Sequence, residues 1–113
     1  MTTQHKEGST LRIPGYRKIQ DAQLIIRLEG NGNYTIIHLK GQLKPLLVSQ
    51  TLKYFEFQLP DFIRVSKSSI INPAYIKKVI QEDPKTMSLE LADGVIILVS
   101  RRRVTGTLSR LGS

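Results

Sequence analysis

The apolar residues of this chain occur in short runs that turn-forming residues separate. The runs recur about every 8 to 12 positions along most of the sequence. They are rich in Ile, Val, Leu and Tyr, and segments containing Gly, Pro, Asn, Asp or Ser interrupt them. Runs of this length and composition are typical of β-strands joined by tight turns. The sequence therefore predicts an all-β fold class, built mainly from short strands.

Most of the apolar runs have the length and side chains of β-strands. The predicted strands cover residues 24–28, 34–39, 43–48, 62–65, 75–80, 87–91 and 95–99, and a possible edge strand covers 11–13. Pro14-Gly15 would end that edge strand, and Pro45 indicates that the strand over 43–48 also lies at a sheet edge. The continuous apolar run over 95–99 predicts a strand that is buried on both faces.

Two turn signals and one polar loop join the predicted strands. Glu29-Gly-Asn-Gly-Asn33 predicts a turn of residues that tolerate positive φ, so the strands on either side should form a hairpin. Asp93-Gly94 is a two-residue hairpin signal. Ser66 to Ser69 predicts a polar loop, which residues 70–73 close.

Residues 49–59 fit either a helix or a strand. Leu52, Phe55 and Leu59 stand at helical spacing behind a serine or threonine cap, whereas Phe55 and Phe57 suit the alternation of a strand. A short helix that ends before the next proline is the favoured interpretation.

The C-terminal segment predicts a closing helix. Val104, Leu108 and Leu111 follow Ser100 at the i, i+4, i+7 spacing of one helix face. The Thr-Gly-Thr sequence at 105–107 forms helix poorly, so packing must hold this helix.

Composition and length exclude several classes of protein. The chain has 113 residues, which is one domain's worth, and we expect a flexible N-terminal segment over 1–19 and a folded domain over 20–113. It has no cysteine and two histidines, so we expect no disulfide, no metal and no cofactor. No triad or paired-carboxylate signature is present, so we expect no catalytic residues and no enzyme. No apolar stretch approaches the ~20 residues of a membrane span, and the polar N-terminus lacks a signal peptide, so a cytoplasmic location is expected.

The positive charge of the chain is large and unevenly placed. The formal net charge is +8, which favours a polyanionic partner. Between residues 62 and 80 the chain has basic residues and no acid, and the same holds from 100 to 113, whereas acids gather in the segment between. This distribution suggests one cationic face that binds nucleic acid, although runs of charge are also found on ordinary solvated surface.

Three small groups of residues are candidates for contact with nucleic acid. Arg101, Arg102 and Arg103 stand at a predicted helix start, where cations oppose the macrodipole and a phosphate would relieve the repulsion. A guanidinium can also read guanine. Lys67 stands among hydroxyls that suit phosphate oxygens, and the amide of Asn33 can pair with an adenine edge.

These groups, in this order, resemble the LytTR family of bacterial DNA-binding domains. The carrying segments are Gly30 to Tyr34, Phe62 to Asn72 with Ile76, Leu89 to Gly94, and Val99 to Arg102. The motif Phe-x-Arg-x-x-Lys-Ser-x-x-x-Asn in the second segment is the specific one. The resemblance covers about residues 20 to 111.

The resemblance implies a fold and an uncommon way of reading DNA. The fold would be an elongated arrangement of about ten short strands in small stacked sheets, with one or two short helices. Loops would enter successive major grooves, and Asn33, Lys67 and Arg102 would contact bases. The expected phosphate contacts, carried over in the same way, are Tyr34, Arg64, Ser66, Ser68, Arg101 and Arg103.

The resemblance also implies partners. Family members commonly bind paired direct repeats of double-stranded DNA as two copies, and many are output domains of response regulators. Most relatives are fused to a receiver domain or a membrane segment, and neither is seen in this sequence. Any input signal would then come from a separate signalling partner, from the expression level or from a part of the protein outside this sequence. Two residues depart from the pattern, because Ser66 stands where many relatives have His and Arg103 stands where an aromatic residue is common.

Two other functions remain open on the sequence alone. An RNA-binding β-barrel module would stack bases on exposed aromatic residues. The chain has 7 aromatic residues in all, three Phe and four Tyr, and the Phe residues stand among core-like neighbours. A protein-interaction module would instead use an exposed sheet edge.

Overall fold

The computed structural model describes residues 10–13 and 19–112, and within these residues the chain forms ten strands and two α-helices. The strands are β1 (Thr10–Arg12), β2 (Ile19–Asp21), β3 (Ile25–Asn31), β4 (Tyr34–Leu39), β5 (Leu46–Val48), β6 (Ile63–Ser66), β7 (Ser69–Ile71), β8 (Ile76–Asp83), β9 (Thr86–Leu91) and β10 (Ile96–Val99). The helices are α1 (Leu52–Gln58) and α2 (Val104–Gly112). Short 3-10 turns lie at Ala22–Leu24, Pro73–Tyr75 and Arg101–Arg103. The all-β prediction, with about ten short strands and one or two short helices, is confirmed.

The largest sheet has five antiparallel strands in the order β5-β4-β3-β7-β6. β3 and β4 form the predicted hairpin, but the turn is tighter than the five predicted residues, because β3 continues to Asn31 and only Gly32 and Asn33 lie between the strands. Gly32 has a φ of +65°, which favours glycine at this position. β5 lies at the edge of the sheet, as Pro45 predicted.

β7 is a strand that the sequence prediction treated as the end of a loop. It pairs with both β3 and β6, and Ile70 and Ile71 are buried on its two faces. The next residue, Asn72, donates from Nδ2 to the carbonyl oxygen of Ile25 at 2.9 Å and accepts at Oδ1 from the amide of Ala74. The predicted polar loop therefore shortens to the two-residue turn Lys67-Ser68 between β6 and β7.

The second sheet has three antiparallel strands in the order β10-β9-β8. The prediction that residues 95–99 are buried on both faces is wrong, since Ile96 and Leu98 are 59% and 64% exposed. β10 is an edge strand, and only the side chains of its other face, such as Val99, reach the core. A turn is present at Asp93-Gly94, with φ of +86° at Gly94, but four residues, 92–95, separate β9 from β10 instead of the predicted two.

Two hydrophobic clusters lie on opposite sides of the five-stranded sheet. On one side Ile25 and Leu28 of β3 pack with Leu52 and Phe55 of α1. The first cluster also includes Leu11 and Ile13, at the predicted edge strand. On the other side Ile26 packs with side chains of β9, β10 and α2. Adjacent residues Ile25 and Ile26 of one strand thus serve two cores. Leu28 returns to the cluster of Ile25, three positions away, because the register of β3 shifts between Ile25 and Arg27.

Helix α1 confirms the favoured interpretation of residues 49–59. Helix α2 starts later than predicted, because the three arginines form a 3-10 turn before it. Val104 and Thr107 are its buried residues, whereas Leu108, expected on the buried face, is 36% exposed. Along the part of the chain that the structure describes, no helix is long and apolar enough to cross a bilayer.

Candidate nucleic-acid interface

The β3–β4 hairpin ends in an exposed polar tip. Asn33 is exposed at the turn, and Tyr34, which begins β4, is 47% exposed. The hairpin approaches α1 closely at Gly30, where a Cβ atom would lie 2.9 Å from Leu52 Cδ1. The amide of Gly30 also donates to the carbonyl oxygen of Ser68 at 2.9 Å. The hairpin is therefore joined directly to the β6–β7 turn.

The β6–β7 turn presents an exposed lysine from a well-bonded backbone. Lys67 and Ser68 are exposed, and Ser66 Oγ accepts a hydrogen bond from the amide of Ser68 at 3.2 Å. Arg64 donates to the carbonyl oxygens of Ser66 and Lys67, at 2.8 and 2.7 Å. Its Nη1 also donates to Glu56 Oε1 at 2.7 Å. Nη1 and Nη2 of Arg64 each carry a second N–H, which can donate to a phosphate oxygen. The phosphate contact of Arg64 therefore stays a prediction.

The three arginines follow β10 beside the same turn. The amide of Ser100 donates to the carbonyl oxygen of Val65 at 2.9 Å, which ties the end of β10 to β6. Arg101 and Arg102 are exposed, whereas Arg103 is half-buried and donates from Nη1 to the carbonyl oxygen of Arg64 at 3.4 Å. The hydroxyl oxygen of Ser100 is buried and makes no hydrogen bond in the structure.

Two clefts lie between the protrusions just described, which are the hairpin tip, the β6–β7 turn and the turn at Arg101–Arg103. One, of about 240 Å³, is lined by Arg64, Lys67, Ser100, Arg102 and Arg103. The other, of about 510 Å³, is lined by Gly30, Gly32, Thr51, Leu52, Lys53, Arg64, Lys67 and Ser68. Lys67 therefore lies between the 3-10 turn at Arg101–Arg103, called the arginine turn below, and the β3–β4 hairpin. Asn33 follows Gly32 at the hairpin tip.

The lining of the two clefts is cationic. The described residues around them include lysines and arginines but no aspartate or glutamate. A surface of this kind attracts the phosphate groups of nucleic acid. The described residues also contain no cluster of three His, Cys, Asp or Glu side chains that could hold a metal ion.

Lys53 is a cleft residue that the sequence analysis missed. It is exposed on the first turn of α1 and shares the larger cleft with Lys67. Its place depends on how α1 packs against the hairpin, and no local pattern around it indicates this packing.

Some basic residues of the two basic segments serve other parts of the molecule. Lys77 and Lys78 lie on β8 and line neither cleft. Arg110 donates to the carbonyl oxygens of Pro60 and Phe62, at 2.9 and 3.1 Å, and so ties α2 to the segment before β6. The cationic face therefore contains fewer lysines and arginines than the charge pattern of the sequence suggested.

The model of the LytTr DNA-binding domain family matches residues 18–112. The chain belongs to the LytTR family. The match covers nearly all of the residues that the structure describes, and it confirms the resemblance carried by the motifs. This LytTR domain is accordingly a DNA-binding domain, and its family is defined by DNA binding rather than by an enzymatic reaction.

A solved structure has the same fold. It is a LytTr DNA-binding domain of a protein described as a methyl-accepting/DNA response regulator from Bacillus cereus. The two chains are 23% identical, the TM-score is 0.73, and the match covers 92% of this LytTR domain and 95% of the solved chain. No curated protein matches the sequence.

Proposed function

We propose that this LytTR domain is a sequence-specific regulator of transcription that reads the major grooves of double-stranded DNA with loops. The observation that carries the proposal is the position of Lys67, which lines both cationic clefts and so lies between the hairpin and the arginine turn. Three protrusions from different parts of the chain, the hairpin tip, the β6–β7 turn and the 3-10 turn at Arg101–Arg103, thus lie next to one another. Such a row can follow a duplex, whose phosphates line each groove.

Asn33, Lys67 and Arg102 are the proposed base-reading residues. All three are exposed, and each follows the end of a strand, directly or within three residues. An asparagine amide can pair with adenine, while lysine and arginine can pair with guanine O6 and N7. Each contact contributes ~1–3 kcal/mol of preference for the correct base if the geometry is good.

The proposed phosphate contacts surround these three residues. They are Tyr34, Arg64, Ser66, Ser68, Arg101 and Arg103. Backbone contacts of this kind position a protein on DNA and supply much of its affinity, so binding should weaken steeply with salt.

We further propose that two copies bind paired direct repeats, that the protein works in the cytoplasm, and that a separate partner supplies its signal. These proposals follow from the family and from the charge of the chain.

Selection of bound duplexes from a random pool tests the proposed function. We expect recovery of a short motif that is repeated at about one helical turn. The affinity for the selected duplex should fall with salt by a slope near −0.9 for each phosphate contacted. Recovery of no motif, or displacement of the duplex by single-stranded RNA at equal concentration, would contradict the proposal.

A further inference from the structure

The side chain of Arg64 is directed at its own protein. Nε donates to the carbonyl oxygen of Ser66 at 2.8 Å and Nη2 to that of Lys67 at 2.7 Å. Nη1 forms an ion pair with Glu56 Oε1 at 2.7 Å. The side chain of Arg64 is only 16% exposed, whereas that of Glu56 is 44% exposed. One planar guanidinium therefore joins the end of β6, the first residue of the turn and helix α1.

These bonds fix the backbone from which the Lys67 side chain projects. A guanidinium holds its N–H groups in a rigid plane, so two carbonyl oxygens bound to it are fixed relative to each other. The following residue of the turn is bonded as well, since the amide of Ser68 donates to Ser66 Oγ and its carbonyl accepts from Gly30. Lys67 thus has a flexible side chain on a fixed turn.

Glu56 supplies the counter-charge that orients this guanidinium. Hydrogen bonds between ionised partners are stronger than neutral ones and add directional preference. Glu56 lies on α1, which packs against the five-stranded sheet through Leu52 and Phe55. The turn is therefore connected to a packed helix and not only to its own two strands.

We propose that Glu56 and Arg64 are positioning residues, which fix the Lys67 turn and thereby set the sequence preference of DNA binding. This inference rests on the proposed function, because Lys67 is proposed there to read a base. If the phosphate contact proposed above were the whole role of Arg64, removing Glu56 would have the opposite effect. Without Glu56, an arginine that contacts phosphate would bind DNA more strongly. A Lys67 turn that has lost its support would instead discriminate less between bases.

Glu56→Ala is the first test, with Glu82→Ala as its matched control. Both variants remove one exposed negative charge, and Glu82 lies on β8, away from the two clefts. Binding to the selected duplex and to a random duplex is measured for wild type and both variants. We expect the ratio of the two affinities to fall roughly tenfold in Glu56→Ala, about the size of one base contact. The ratio should stay within about twofold of wild type in Glu82→Ala, since its charge change acts on both duplexes alike.

Arg64→Lys is the second test, because lysine keeps the charge but lacks the planar fork. Lys67→Ala is made in the wild type and in the Arg64→Lys background, and thermal unfolding checks that each variant is folded. We expect Lys67→Ala to reduce base preference in the wild type and to have little further effect in Arg64→Lys. If Arg64→Lys does not fold, the comparison of Glu56→Ala with Glu82→Ala alone decides.

The outcomes separate this inference from the proposed function. A wild-type chain that prefers no duplex contradicts the proposed function and overturns the positioning role with it. A selective wild type whose Glu56→Ala variant keeps or increases its selectivity overturns the positioning role alone. Equal effects of Lys67→Ala in the two backgrounds would also overturn it.

Discussion

The three consecutive arginines after β10 have different surroundings. Arg101 and Arg102 are exposed, whereas Arg103 is half-buried and donates to the carbonyl oxygen of Arg64. An exposed guanidinium can reach a base edge, while one held against the protein contributes mainly its charge. The sequence shows a run of three equal cations, and only the packing of the turn distinguishes them.

Arg102→Ala and Arg103→Ala should therefore weaken DNA binding in different ways. We expect Arg102→Ala to cost ~1–3 kcal/mol on the selected duplex and much less on random DNA, because a base contact is lost. Arg103→Ala should weaken binding to the selected duplex and to random DNA similarly, and it should reduce the salt slope of DNA binding by about one. Binding titrations at several salt concentrations measure both effects, and equal losses on the two duplexes in Arg102→Ala would remove its base-reading role.

Lys53→Gln tests whether the larger cleft holds a phosphate. Lys53 and Lys67 line that cleft together, so we expect a loss of affinity on selected and random duplexes alike and a salt slope smaller by about 0.9. Lys44→Gln is the control, because Lys44 follows the end of β4 that is remote from the hairpin tip. A salt slope that changes equally in the two variants would exclude a special role for Lys53.

The candidate site was only partly predictable from single residues. Asn33, Lys67 and Arg102 have types that suit base recognition and stand in a recognisable motif. Lys53 and Glu56 gave no such signal, because their roles depend on the packing of α1 against the sheet. Contacts between residues far apart in the chain cannot be inferred from local pattern.

The approach of strand β3 to helix α1 depends on Gly30. A Cβ atom at this position would lie 2.9 Å from Leu52 Cδ1 and Cγ, closer than two carbon atoms pack in a core. Leu52 is itself buried within the first hydrophobic cluster, so it has little room to move. Glycine at position 30 therefore brings the hairpin and α1 together around the larger cleft.

Gly30→Ala and Gly106→Ala should change stability in opposite directions. We expect Gly30→Ala to destabilise the fold by ~1–3 kcal/mol, as an overpacked core does. Gly106 lies within α2 with open space around its Cβ position, so Gly106→Ala should stabilise by about 0.5–1 kcal/mol. Urea unfolding measures both changes, and a Gly30→Ala variant as stable as wild type would show that Leu52 can move aside.

The strands were predictable where the local pattern is strong. Tyr34–Leu39 has the alternating burial of a half-buried strand, and the sequence located it correctly. β7 was missed because three residues give too short a pattern. The burial of β10 was misjudged because a continuous apolar run does not reveal which sheet neighbours cover it, and Ile96 and Leu98 face outward.

The proposed DNA-binding surface combines parts of both large sheets. Asn33 and Lys67 extend from the five-stranded sheet, whereas Arg102 follows the last strand of the three-stranded sheet. The second hydrophobic cluster and the bond from the Ser100 amide to Val65 hold these two sheets together. The relative positions of the three protrusions are thus a property of the tertiary structure, which composition and charge could not supply.

The most direct measurement is the base preference of Asn33→Ala, Lys67→Ala and Arg102→Ala over all single-base substitutions of the selected duplex. We expect each variant to lose preference at a different base pair, and the affected base pairs to follow the order of the protrusions along the duplex. Unchanged profiles, or one uniform loss of affinity in all three variants, would contradict base reading by these loops.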